Sequence, residues 1–238
     1  MASLINRILL IFHFGYGVLR SIGKRSSSVF LSIALIAAAP LSAQDQTVRI
    51  AALGDSLTQG YGLLVHEGFT AQLQDWLDAH AVAATIVNAG VSGDTTSGGL
   101  SRVDWTLTDD IDAMIVALGG NDVLRGSPPE LARSNLDAIL AAGAAKGIPM
   151  MIIGIAVPSN YGQDYQTQFS EIYPDLAKKY DALYVENFLG ALTDLGEMSE
   201  TIKTHVQPDG VHPNARGVSV IVDAIGPTVA DLAARATP

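Results

Sequence analysis

The sequence contains no cysteine. That absence excludes disulfides, thiolate nucleophiles and cysteine-ligated zinc or iron–sulfur centres. Basic residues are scarce as well: 14 Lys and Arg stand against 24 Asp and Glu, for a formal net charge of −10. A nucleic-acid-binding domain carries a basic footprint, so nucleic acid is not an expected partner. Net charge reports on solubility and non-specific binding and says little about fold. Histidine is rare too. Of the five present, four lie beyond residue 43: His66, His80, His205 and His212. Few side chains are therefore available as a general base. Beyond residue 43 the chain has no internal repeat, linker or low-complexity tract.

Acidic residues are missing altogether from residues 1–43, which carry Arg7, Arg20, Lys24 and Arg25. An apolar run over 29–39 follows, then Pro40 and Leu-Ser-Ala at 41–43. A basic stretch, a short apolar core and a small-residue site form the pattern of a secretory signal. The run is too short to span a bilayer comfortably. Residues 1–43 are expected to be a signal peptide cleaved near Ala43. The competing reading is a membrane anchor over 8–19 or 29–39. Without a cysteine after the run, lipoprotein anchoring is excluded. Residues 44–238 are then one domain, long enough for a sizeable core. They are expected to be periplasmic or secreted and to hold no stable membrane span.

Apolar runs alternate with helical periodicity at intervals of roughly thirty residues, the rhythm of βαβ units. Strands are expected over 48–53, 85–88, 113–118, 149–155 and 182–186. Helices are expected over 67–80, around Leu100 and Val103, after residue 127, over 165–180 and over 214–234. Phe69, Leu73, Trp76 and Leu77 fall on one helical face. Ser127-Pro128-Pro129-Glu130 reads as a helix start, with Ser127 capping, Pro128 in the first turn and Glu130 completing a capping box. Leu131, Ile139 and Leu140 are its apolar residues and Gly147 its stop. Pro174 should kink or split the helix it falls in, and Gly226-Pro227 should bend the last one. Five short apolar strands with intervening helices imply an α/β domain, a parallel sheet covered on both faces.

In such sheets ligands bind beyond the carboxyl ends of the strands. Polar clusters stand at three of those ends: Gly54-Asp55-Ser56, residues 88–94, and Gly119 to Asp122. A serine hydroxyl needs a base within hydrogen-bond reach, and the base needs an orienter. Asp209 lies three residues before His212 in Pro-Asp-Gly-Val-His-Pro, so one loop carries both. Its carboxylate is placed to accept from one ring nitrogen while the other faces Ser56. Taken alone, that pair also fits a polar turn. Attack on a carbonyl makes an oxyanion, which needs preorganised donors. The candidates are the Ser56 N–H, the Gly93 N–H and the Asn121 side-chain amide. Asp55, Asp94 and Asp122 read as acceptors for loop backbone. His66 and His205 lack the company that metal ligation requires.

Four blocks carry a resemblance: Gly-Asp-Ser-Leu at 54–57, Ser-Gly-Asp-Thr at 92–95, Gly-Gly-Asn-Asp at 119–122 and Asp-Gly-Val-His-Pro at 209–213. In order and spacing they resemble the SGNH (GDSL) hydrolases. Asn-Tyr-Gly at 160–162 and the run over 169–177 are similar to the bacterial thioesterase I/lysophospholipase L1/arylesterase branch. The resemblance implies a flavodoxin-like three-layer α/β/α fold around a five-stranded parallel sheet. It implies a serine esterase with Ser56 as nucleophile, His212 as base and Asp209 as its partner. Ser56, Gly93 and Asn121 would form the oxyanion hole. The implied substrates are small-molecule esters and thioesters: aryl esters, acyl thioesters and lysophospholipids. No metal or organic cofactor is implied. Asn160 and Tyr161, on the same sheet edge, are expected to bind substrate. Rival readings are a carbohydrate O-deacetylase built on the same blocks, a non-catalytic ligand-binding module, and a metal-dependent phosphotransferase using Asp55.

Overall fold

The computed structural model describes residues 47–236, so the expected signal peptide and its cleavage site lie outside the described residues. The elements in chain order are β1 (Val48–Gly54), α1 (Ser56–Gln59), α2 (Phe69–Ala79), β2 (Ala84–Gly90), α3 (Thr96–Thr106), β3 (Ala113–Ala117), α4 (Gly120–Leu124), α5 (Pro129–Lys146), β4 (Met150–Ile153), α6 (Gln163–Ser170), α7 (Ile172–Tyr180), β5 (Leu183–Val185), α8 (Gly190–Thr193), α9 (Met198–His205) and α10 (Ala215–Ala236). Single 3₁₀ turns occupy Val65–Glu67 and Ser159–Tyr161.

The five strands form one sheet in the order β2-β1-β3-β4-β5, and every pairing is parallel. This is the flavodoxin-like order, whose switch point falls between β1 and β3. Successive strand residues point to opposite faces, and the core divides accordingly. Met114 and Val116 pack with Leu136, Ile139, Phe169 and Tyr173 on the face covered by α3, α5, α6 and α7. Ala113, Ile115 and Ala117 pack with Phe69, Leu73, Leu77 and Ile221 on the face covered by α2 and α10. The three-layer α/β/α architecture follows from this two-sided burial. By length and composition α10 is apolar enough to cross a bilayer, yet Val218, Ile221, Val222, Ile225, Val229 and Leu232 are buried in this second core.

Most expected helices form, with corrections at the start of α5. The helix after residue 127 starts one residue late, with Pro128 as the cap position and no side-chain cap bond. Pro129 bars its predecessor from helical geometry, so Pro128 stays extended and Ser127 is left too far back to cap. The Ser127 carbonyl instead accepts the Tyr165 hydroxyl at 2.9 Å. Leu131 is 50% exposed and not part of the core, whereas Ile139 and Leu140 are buried. The helix over 165–180 is split, as expected of a segment containing Pro174, into two helices that meet at Glu171. Pro174 is the third residue of α7, where its missing N–H would have had no intrahelical acceptor. α10 continues through Gly226 and Pro227 as one helix.

Two leucines of α5, Leu131 and Leu136, give a direct test of which face packs inward. Leu136 is 0% exposed, so Leu136→Ala is expected to destabilise the fold by about 2–5 kcal/mol. Leu131→Ala is expected to change it by no more than about 0.5 kcal/mol. Urea unfolding of both variants measures the difference, and equal losses would contradict the assigned face.

Candidate active site

β1 ends at Gly54, and the chain turns at once into α1. A Cβ on Gly54 would overlap the Thr58 side chain, so only glycine lets this turn lie so close to the strand. Asp55 is the cap of α1, its Oδ1 accepting the Leu57 N–H at 3.0 Å. Ser56 is thereby held as the first residue of a helical turn, at the carboxyl end of the sheet.

The candidate base arrives from the far end of the chain. Residues 206 and 213 close a loop by an antiparallel bridge, and the Gln207 N–H donates to the His212 carbonyl at 2.7 Å. Within the loop, Asp209 Oδ1 accepts the N–H groups of Val211 at 2.9 Å and His212 at 3.0 Å. Its Oδ2 is 2.7 Å from His212 Nδ1, and His212 Nε2 is 2.8 Å from Ser56 Oγ. One carboxylate therefore shapes the turn and orients the ring. The two backbone N–H groups first, then the ring, hold the Asp209 carboxyl down to about 2. Gln207 Nε2 donates to the carbonyls of Tyr61 and Pro213, tying the histidine loop to the loop after Ser56. The Tyr61 ring lies 4.8 Å from the His212 ring, centroid to centroid.

The three candidate oxyanion donors stand at three neighbouring strand tips. Gly93 follows β2 with φ of +81°, a conformation that favours glycine. Neither its N–H nor that of Ser56 has an acceptor among the described residues. Both belong to residues lining one cavity, Ser56 half-buried and Gly93 exposed. Asn121, at the start of α4, donates from Nδ2 to the Asp94 carbonyl at 2.9 Å and lies 3.4 Å from Asp55 Oδ2. An amide nitrogen carries two hydrogens, so only one is firmly committed.

The cavity has a volume of about 350 Å³ and is lined by Ser56, Gly93, Asn121 and His212 together with apolar side chains, among them Leu57, Val123, Ile155, Phe188 and Leu189. Tyr61, Leu124 and Val211 also line it while each is more than half exposed, which puts them at its mouth. Asn160 and Tyr161, expected to bind substrate, follow the lining residue Pro158 closely in the chain and are not themselves among the lining residues. A 3₁₀ turn spans Ser159–Tyr161, and Tyr161 stacks on Tyr165 at 5.1 Å. The stretch after β4 contributes Ile155, Ala156 and Pro158 to the wall instead.

Several supporting residues were not evident from the sequence. Arg102 Nε pairs with Asp94 Oδ2 at 2.7 Å, while its Nη groups donate to the carbonyls of Ala89 at 2.7 Å and Gly54 at 2.9 Å. One guanidinium thus binds the tips of β1 and β2 to the Gly93–Asp94 loop, and the Asp94 carboxylate serves Arg102 where loop backbone was expected. Arg125 Nη2 donates to the Gly93 carbonyl at 2.8 Å. Asp122 accepts from the Thr96 N–H at 2.8 Å and the Thr96 hydroxyl at 2.7 Å, and Asn135 Nδ2 donates to that hydroxyl at 3.0 Å. All three residues are buried. Asn135, a polar residue next to Leu136 on the buried side of α5, was the one available signal of this network. Asp55 is buried as well, and desolvation pushes its carboxyl up to about 6.

Hydroxyl, imidazole and carboxylate in line, beside unpaired donors and an apolar cavity, are equipped for nucleophilic acyl transfer. Comparison with known proteins points the same way. Residues 52–220 match the GDSL-like Lipase/Acylhydrolase family. The chain is 35% identical over 172 residues to thioesterase 1/protease 1/lysophospholipase L1 of Escherichia coli K12, covering 72% of this chain and 78% of that protein. It is 35% identical over 175 residues to an arylesterase of Vibrio mimicus, covering 73% and 84%. Among solved structures it is similar to AlinE4, an SGNH-hydrolase family esterase, with 45% identity, a TM-score of 0.63, and coverage of 78% of this chain and 96% of that one.

Asp209→Asn separates the two tasks of that side chain. The amide oxygen still accepts both backbone bonds, so thermal unfolding should change little. The amide nitrogen donates where the carboxylate accepted, which imposes the wrong tautomer on His212. Turnover is expected to fall roughly 10³–10⁴-fold. Wild-type turnover in this variant would mean that Asp209 only shapes its turn.

Proposed function

From the membership of this chain in the GDSL-like lipase/acylhydrolase family, whose members include serine ester hydrolases, we propose a residue-level mechanism and a substrate class. The chain is a serine ester hydrolase. In the proposed mechanism Ser56 Oγ attacks the carbonyl carbon of an ester or thioester as His212 Nε2 takes the hydroxyl proton. The tetrahedral oxyanion is met by the N–H groups of Ser56 and Gly93 and by the Asn121 amide. Collapse breaks the bond to the leaving alcohol or thiol, which takes the proton from His212. Water then attacks the acyl-enzyme with His212 again as base, releasing the acid and restoring Ser56. Asp209 holds the ring and stabilises its charged form throughout.

The observation that carries this reading is the line Asp209 Oδ2, His212 Nδ1, His212 Nε2, Ser56 Oγ, with separations of 2.7 and 2.8 Å. The predominantly aliphatic wall of Leu57, Val123, Ile155 and Leu189 supports substrates with an apolar acyl or aryl part: aryl esters, acyl thioesters and lysophospholipids. A sugar ester would leave its hydroxyl groups facing that wall without partners, at a cost for each. The composition of residues 1–43 supports export to the periplasm or beyond, with cleavage near Ala43.

Two measurements test the proposal. On a panel of p-nitrophenyl esters of rising chain length, an acyl thioester and an acetylated sugar, the lipid-like and aryl substrates are expected to lead. Turnover and fluorophosphonate labelling should both vanish in Ser56→Ala. A sharp preference for the acetylated sugar would favour a deacetylase, and wild-type protein that takes no label would favour a binding module. For export, protein recovered from outside the cytoplasm is expected to begin near Gln44 on N-terminal sequencing. Full-length chain confined to the cytoplasm would refute it.

A further inference from the structure

Asp55 is a buried carboxylate for which the acyl-transfer chemistry above has no use. It is 5% exposed. A serine, threonine or asparagine would cap α1 without burying a charge, so capping alone does not account for an aspartate there. Its contacts suggest another task. Oδ1 accepts the Leu57 N–H at 3.0 Å, and the Asp55 carbonyl accepts the Gln59 N–H at 2.9 Å. These bonds fix the turn that presents the Ser56 N–H. Oδ2 faces the other way. It lies 3.4 Å from Asn121 Nδ2, and a Cβ placed on Gly120 would be 3.5 Å from it. One carboxylate therefore touches the segments that follow β1 and β3 at the switch point of the sheet.

The geometry at Asn121 is informative. One hydrogen of Nδ2 is anchored on the Asp94 carbonyl at 2.9 Å. Because the amide is planar, that anchor and the pull of Asp55 Oδ2 together set the direction of the second hydrogen. At 3.4 Å the pull is a weak one. An oxyanion in the cavity can draw the second hydrogen without breaking a strong bond. A close, short bond to Asp55 would have withheld it.

We propose that Asp55 is the positioning residue of the oxyanion site, with one carboxylate oxygen setting the turn that carries the Ser56 N–H and the other orienting the Asn121 amide. This rests on the assignment of Asn121 as an oxyanion donor. Desolvation acting on the buried carboxyl marks the burden that this placement imposes.

Asp55→Ser tests the proposal. It keeps a hydroxyl that caps the Leu57 N–H and removes the oxygen that faces Asn121. The expected result is a 10- to 100-fold fall in kcat with KM within about threefold and thermal unfolding close to wild type. Asn121→Ala alone should lose about 10²–10³-fold in kcat, the size typical of a missing oxyanion donor. The double variant Asp55→Ser/Asn121→Ala should be no slower than Asn121→Ala, because Asp55 acts through that amide. A wild-type kcat in Asp55→Ser, or losses that multiply in the double variant, would overturn the proposal. Wild-type kcat in Asn121→Ala would overturn the donor assignment beneath it. Should Asp55→Ser fail to fold, Asp55→Asn serves instead. It preserves the cap and turns an amide nitrogen towards Asn121, so a kcat equal to wild type there would likewise overturn the proposal.

Discussion

All five strands run in one direction, and the placement of the chemistry depends on that constraint. Parallel strands put every carboxyl end on one edge of the sheet, so the chain must leave its turns there each time. Three of those turns carry Ser56, Gly93 and Asn121. The order β2-β1-β3 makes their strands immediate neighbours, with β1 in the middle. Helices leaving β1 and β3 at the switch point part to opposite faces, and the cavity occupies the space they vacate. An antiparallel sheet of the same strands would have scattered these three residues between its two ends.

Nearness of strand tips brings loops together but does not hold them still. Polar side chains reaching across the edge do that. Arg102 gathers the tips of β1 and β2 with Asp94. Thr96, Asp122 and Asn135 join the start of α3 to α4 and α5 through bonds of 2.7–3.0 Å. Buried networks of this kind are costly when any member is unpaired and rigid when all are satisfied. Each of these three finds its partners. Ser56 and Gly93, whose N–H groups have no acceptor among the described residues, line the cavity.

The strands, the two-sided core and the Ser56, His212, Asp209 line were legible because their signals are local. Apolar runs mark strands buried on both faces, and Asp209 and His212 sit three residues apart in a single turn. What could not be read depends on distant partners. Arg102 bonds to carbonyls 13 and 48 residues away, and a backbone carbonyl has no signature in the sequence. Ile155, Ala156 and Pro158 line the cavity just before Asn160 and Tyr161, and in an irregular stretch no periodicity tells which residues do so. α8 and α9 span four and eight residues, too short for periodicity to declare them. Ser127 resembled a cap until the second proline pushed the helix start beyond its reach.

His212 lies 156 residues after Ser56, on a loop closed against the start of α10, and this separation bears on the order of synthesis. A growing chain that has emerged as far as β5 already holds the serine, both glycine-bearing loops and every strand of the sheet. It holds neither His212 nor Asp209. It also lacks α10, which covers one face of the sheet alongside α2. On the proposed mechanism, a Ser56 hydroxyl in such a chain has no base within reach. The segment that would bring that base to Ser56 is thus continuous with the helix that completes the core.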